Sequence, residues 1–247
     1  MKLTDLLGST NMQNEQMASM VRSPMILWKP LLAAYLKGAS FLARTDNVMT
    51  GQQGSASNAD IDQAFRSPPK STEQILHPDK YWKSELRDEP LPVTQAGADE
   101  LHLPGDWKVL RRDVVGETAI AVWSIAPAQR ANATLKDVSN LTGMSFTCPA
   151  AEGWGGDELI LLGSGEQSRA LRWLTVWDSA RDAAEFFGAA SMIVPELEAS
   201  LAKLAGGKSS LAHAEIHYGA DREVVIELGF GQKRKEWKEI FGAFPAR

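Results

Sequence analysis

One cysteine in 247 residues is the first constraint. Cys148 can form no internal disulfide, and it stands between Thr147 and Pro149 without the His or Cys neighbours of a metal or redox motif, so it reads as a small buried residue. Excess positive charge is missing as well. With 26 Lys and Arg against 31 Asp and Glu the net charge is -5, which offers no whole-chain attraction to nucleic acid or to an anionic membrane. No clean membrane span is present: PMILWKPLLAAYLKGASFLAR, Pro24 to Arg44, has the length but carries Lys29 and Lys37 and is interrupted by Pro30. The first residues, MKLTDLLGSTNMQNEQ, lack the charged-then-apolar order of a signal peptide, so the chain as written reads as cytoplasmic. There is no G-x-S-x-G elbow, the Gly-rich GWGGD lacks the Lys-Ser/Thr ending of a phosphate loop, and no segment repeats.

What is present supports a globular α+β protein: a mainly helical N-terminal lobe, then a small antiparallel sheet with helices packed on one face. We expect a flexible arm over 1–23, a helical lobe with a Pro-rich connector over 24–105, and an α+β lobe over 106–247. A helix opening at Pro30 puts Leu31, Ala34, Tyr35 and Gly38 on one face, read as buried. Asn58 caps a short helix whose Ile61, Ala64 and Phe65 share a face. Strands are expected over Asp106–Arg112, Glu158–Gly163 and Ala170–Trp177, with Gly116–Ile125 leaning to helix. Asp178 or Ser179 caps a helix carrying Ala183, Phe186, Phe187 and Ala190 in one stripe, and Pro195 is expected to break it. Leu211–Tyr218 and Glu223–Phe230 form a hairpin in which Ala212, Ala214, Ile216 and Tyr218 face Val224, Ile226 and Leu228. Lys233–Phe241 closes the chain as an amphipathic helix with Trp237, Ile240 and Phe241 on its apolar side.

The densest chemistry lies in Ser67–Trp82, SPPKSTEQILHPDKYW. Ser71 and Gln74 have the S-x-x-Q spacing of a capping box. Glu73 and His77 stand four apart, with Tyr81 one turn on, so the three are candidates for an acid–base or zinc site. The plainer reading is that they satisfy polar groups around a rigid Pro-bounded corner. In GWGGD, Gly155 and Gly156 permit positive φ and close backbone approach, and Trp154 beside Asp157 forms either a shallow binding rim or a plug in the core. In HAEIH, His213 and His217 share a strand face roughly 13 Å apart, too far for one metal to bridge, and read as a solvated polar face.

SPPKSTEQILHPDKYW, AAEGWGGD of Ala150–Asp157 and WLTVWDSARDAAEFF of Trp173–Phe187 together resemble a family of bacterial and archaeal zinc-metallopeptidase-like proteins, over most of the chain from about Leu31 onward. The resemblance implies a zinc helix of the HExxH type upstream, and this chain contains no such string. The expectation is therefore a C-terminal part of such a protein, with no cofactor and no catalysis of its own, binding a peptide or protein partner through Ser71, Gln74, His77, Tyr81, Trp154 and Asp157. One alternative is a zinc hydrolase, either with a rebuilt site using Glu73 and His77 with Glu117 or Asp157, or with its zinc helix supplied elsewhere. Another is an interaction or scaffold protein using the Pro24–Arg44 helix. That reading requires an exposed apolar stripe, and burial of Leu31, Tyr35 and Phe41 would count against it.

Overall fold

Period-two alternation of apolar residues builds the centre of the molecule. The computed structural model describes residues 23–47, 50–51, 54, 56–96, 101–125 and 144–244. The expected N-terminal arm and most of the polar stretch 127–145 lie outside them. Strands β1 (Lys108–Asp113), β2 (Trp154–Ser164), β3 (Ser168–Trp177), β4 (Ala212–Tyr218) and β5 (Glu223–Phe230) form one antiparallel sheet in the order β1-β2-β3-β5-β4. Register fixes two faces. Leu159, Trp173, Ile226 and Ile216 lie in one cross-strand row, and Leu161, Leu171, Leu228 and Ala214 in the next. This face meets Phe186 and Ala190 of a long helix and forms the main core. The opposite face carries Ile160, Arg172, Glu227 and Glu215 in one row and Leu162, Ala170, Gly229 and His213 in the other.

Seven helices surround the sheet among the described residues: α1 (Met25–Leu42), α2 (Asn58–Arg66), α3 (Thr72–Leu76), α4 (Asp79–Trp82), α5 (Gly116–Trp123), α6 (Ala180–Leu204) and α7 (Arg234–Phe241). The α+β class and the antiparallel sheet are as the sequence indicates. Helix α6 covers the main-core face, while α7 seats Trp237, Ile240 and Phe241 against Ile160, Leu162 and Ala170 on the other, beside Leu101, Leu103 and Trp107 of the connector. A third cluster, Trp28, Ala33, Leu36, Leu76 and Phe146, joins α1 to α3. Each large side chain buried in these clusters contributes about 1.5–3 kcal/mol.

Several local expectations are corrected. Helix α1 runs through Pro30 and turns Trp28, Ala33, Leu36 and Phe41 inward, so Leu31 and Tyr35 are 67% and 65% exposed. Helix α6 likewise continues past Pro195, which is exposed. Ser57, not Asn58, caps α2, accepting from Asp60 N, and Phe65 on that helix is exposed. Gly155 and Gly156 do not take positive φ. Gly153 does, at 74°, while a bulge falls between Trp154 and Gly156. Gly156 serves close approach instead: a Cβ there would lie 2.5 Å from the Leu91 carbonyl oxygen of the connector, whose amide donates to Gly155 O at 2.7 Å. No helix among the described residues is long and apolar enough to cross a membrane.

Candidate functional site

The corner Ser67–Trp82 is held by its own polar residues. Ser71 caps α3, its hydroxyl accepting from Gln74 N at 3.1 Å. Gln74 reaches back to Lys70 N at 2.8 Å, one residue before the cap, and donates through Nε2 to Asp88 O in the connector. Tyr81 donates its hydroxyl to Ser67 O and packs edge-on against Phe41 and Trp82, with ring centroids 4.9 and 4.7 Å away. Ser71, Gln74 and Tyr81 are all buried. Their polar atoms are used within the fold.

Glu73 and His77 are close in space but do not pair. Helix α3 ends at Leu76, with His77 as its C-cap, and each side chain finds a distant partner. Glu73 accepts from Lys80 Nζ at 2.6 Å, and the same ammonium reaches Asp88 at 2.8 Å and Asp178, just before α6, at 3.2 Å. Three carboxylates thus share one cation. Burial pushes Glu73 up to about 7 against the pull of Lys80. Burial also raises Asp178, and the surrounding carboxylates hold Lys80 above its ordinary value despite its own desolvation.

His77 Nε2 lies 2.9 Å from Oε1 of Glu117, the second residue of α5 and fully buried. Thr147 donates its hydroxyl to the same oxygen, and Glu117 Oε2 has no hydrogen-bond partner among the described residues. Burial disfavours the imidazolium, but the hydrogen bond and charge of Glu117 outweigh it and hold His77 above its ordinary value. Glu117 also acts on Lys37 of α1, whose ammonium burial pushes down. With Nε2 directed at the carboxylate, Nδ1 of the 28% exposed His77 side chain is the nitrogen left to exchange a proton with a ligand.

Trp154 and Asp157 form a buried knot, not a rim; each is 2% exposed. Asp157 accepts from Trp154 Nε1 (2.8 Å), Trp173 Nε1 (3.0 Å), Val115 N (2.8 Å) and Gly116 N (2.9 Å). Burial raises its carboxyl while these four donors pull against it. It has no oxygen left for a ligand.

The zinc implied by the resemblance does not fit this corner. Glu73, Asp88 and Asp178 place carboxylate oxygens within 4.8 Å of one another, but the Lys80 ammonium holds all three, and His77 is committed to Glu117. Spacing along the chain reveals neither Lys80, Asp88 and Asp178 as partners of Glu73 nor Thr147 as a partner of Glu117. Asp178 reads only as a helix cap, a role the structure gives to Ser179, which accepts from Asp182 N.

Residues 107–222 match the model of a family described as a domain of unknown function (DUF8575). No curated protein and no solved structure matches the chain. The matched span contains Glu117, Asp157 and Asp178 but not the corner residues Glu73, His77 and Lys80.

Proposed function

We propose that this chain is a non-catalytic module related to the C-terminal part of zinc-metallopeptidase-like proteins, and that it binds an apolar segment of a partner protein. One observation carries the reading: Leu27, Leu31 and Tyr35 stand at i, i+4 and i+8 on the outer face of α1 and are 62%, 67% and 65% exposed. Three large apolar anchors at helical spacing are what a helix offers to a partner's groove, and each is worth about 1.5–3 kcal/mol once covered. The inner face of the same helix is fixed through Trp28, Leu36 and Phe41, so the anchors are presented on a rigid element. The Ser67–Trp82 corner acts as the bracket that holds this helix, since Trp82 Nε1 donates to Phe41 O at 2.8 Å.

The test is photo-crosslinking from position 31 in the native host, followed by reconstitution with the purified partner. A discrete partner whose affinity for the pure chain falls at least about tenfold with Leu31→Lys supports the reading. Association of the chain only with itself through this face would make it a scaffold instead. Metal-dependent proteolysis by the pure chain, lost with His77→Ala, would overturn the reading.

A second reading, an acid–base site, is favoured by the His77–Glu117 contact at 2.9 Å and by Glu117 Oε2, which has no hydrogen-bond partner among the described residues. It predicts turnover of model peptide or ester substrates that disappears in both His77→Gln and Glu117→Gln.

A further inference from the structure

We propose that the sheet face under α7 carries a divalent transition-metal site formed by His213, Glu215 and Glu227. His213 and Glu215 are alternate residues of β4 and share a face, and Glu227 is the direct cross-strand partner of Glu215 on β5. One ligand atom from each lies within 4.8 Å of the others, and His213 Nδ1 is 4.0 Å from Glu215 Oε1. Metal bonds of about 2.1 Å require donors roughly 3.4 Å apart, so the set closes once the separations shrink by up to about 1.4 Å, shared between the side chains. The site is separate from the corner and from the α1 face, and neither reading of those depends on it.

Charge order across the sheet calls for a cation here. From the β1 edge, Arg112 pairs with Glu158 at 2.8 Å, and Glu158 accepts from the Gln95 amide at 2.6 Å. Gln95 accepts in turn from Arg172 at 2.6 Å, and Arg172 donates to Glu227 at 3.0 Å. Positive and negative groups alternate until Glu227, where the next residue in the row is a second carboxylate, Glu215. Like charges directly opposite on neighbouring strands repel. Glu227 is 8% exposed, and only its Oε1 is engaged, by Arg172; Oε2 makes no hydrogen bond among the described residues. No Lys or Arg among the described residues pairs with Glu215.

The imidazole is prepositioned. His213 stacks on Trp237 and Phe241 of α7, at centroid distances of 5.7 and 5.2 Å. Trp237 in turn sits on Gly229, where a Cβ would come within 2.5 Å of its ring. The solvated polar face expected from HAEIH is thus corrected at His213, which is 9% exposed. A pocket of about 450 Å³ lined by His213, Glu215, Glu227, Trp237, Lys238 and Phe241 opens beside the three ligands. Lys238 is the competing cation, but it forms no ion pair among the described residues. One imidazole and two carboxylates, with Glu215 57% exposed and room for water, suit zinc or manganese better than calcium or magnesium, which favour all-oxygen shells.

The test is calorimetric titration of the chelator-treated, untagged full chain with zinc chloride and manganese chloride at neutral pH. One site per chain is expected, weakened at least about tenfold by Glu215→Gln and by His213→Asn, and retained or tightened by Lys238→Met, which removes the competing charge. Melting supplies a second readout. In chelator, Glu215→Gln should be at least as stable as the parent, because the facing carboxylates no longer repel; zinc should raise the melting temperature of the parent and not that of the variant. Absence of saturable binding by both metals, or binding unchanged in both ligand variants, overturns the site. A Glu215→Gln protein less stable than the parent in chelator also overturns it, because the charge order on which it rests would then be wrong.

Discussion

Replacing Glu73 with Gln should stabilise this protein at alkaline pH and leave it nearly unchanged in mild acid. Glu73 is 2% exposed, and its carboxyl, ordinarily near 4.5, is pushed by burial to about 7 while Lys80 pulls the other way. Between those two values the folded chain keeps a proton that the unfolded chain has released. The stabilisation linked to that proton is therefore complete below the unfolded value of 4.5 and is lost as pH rises through about 7. At about 1.4 kcal/mol per pH unit the loss is about 3 kcal/mol, trimmed by the water that reaches Lys80 and Asp178. Gln keeps an oxygen for the Lys80 ammonium and has no proton to lose. Urea unfolding of both proteins across this pH range should give coincident stabilities near pH 4.5, with the variant ahead by about 2–3 kcal/mol once Glu73 is ionised. The subtraction removes every titration the two proteins share. A flat difference curve, or a variant weaker than the parent at high pH, would show that the ion pair with Lys80 outweighs the cost of burying the carboxylate, and the reasoning fails.

Two further outcomes follow from the same contacts. His77 is held above its ordinary value of 6.5 by Glu117, so its imidazolium pair stabilises the fold below that value and the contribution is lost as pH rises through the folded one; His77→Gln should cost most in mild acid, and a proton NMR titration giving a midpoint at or below 6.5 would refute the assignment. Asp157→Asn trades an acceptor of four N–H groups for an amide with one acceptor oxygen, so it should cost at least about 3 kcal/mol and flatten the near-UV dichroism of Trp154 and Trp173, whereas parent-like melting would mean that the knot is not under tension.

Local periodicity made the sheet legible. The β4–β5 hairpin and its Ala214–Leu228 and Ile216–Ile226 pairs follow from alternation within sixteen or so residues, and α7 follows from one apolar side. Proline misled in the opposite direction, since Pro30 and Pro195 read locally as breaks while both helices run through them. The inward face of α1 was misassigned for a different reason. Trp28, Ala33 and Leu36 and the outward Leu27, Leu31 and Tyr35 are both apolar stripes at helical spacing, and only the tertiary partner decides between them. The corner was half legible: the Ser71–Gln74 cap is a four-residue pattern, and it formed. The partners of Glu73 and His77 were not, because i to i+4 spacing sees one turn, while Glu117 lies 40 residues from His77 and Asp178 lies 98 from Lys80. Trp154 and Asp157 could be read as plug or rim, and burial of both settled it.

The Asp157 knot fastens more than the sheet. Its two oxygens receive the amides of Val115 and Gly116, and the next residue along that helix is Glu117, the partner of His77. Between β2 and the imidazole on the corner the path is short: a carboxylate, the first turn of α5, the Glu117 side chain and one hydrogen bond. One carboxylate thus anchors the same helix turn from which Glu117 reaches His77.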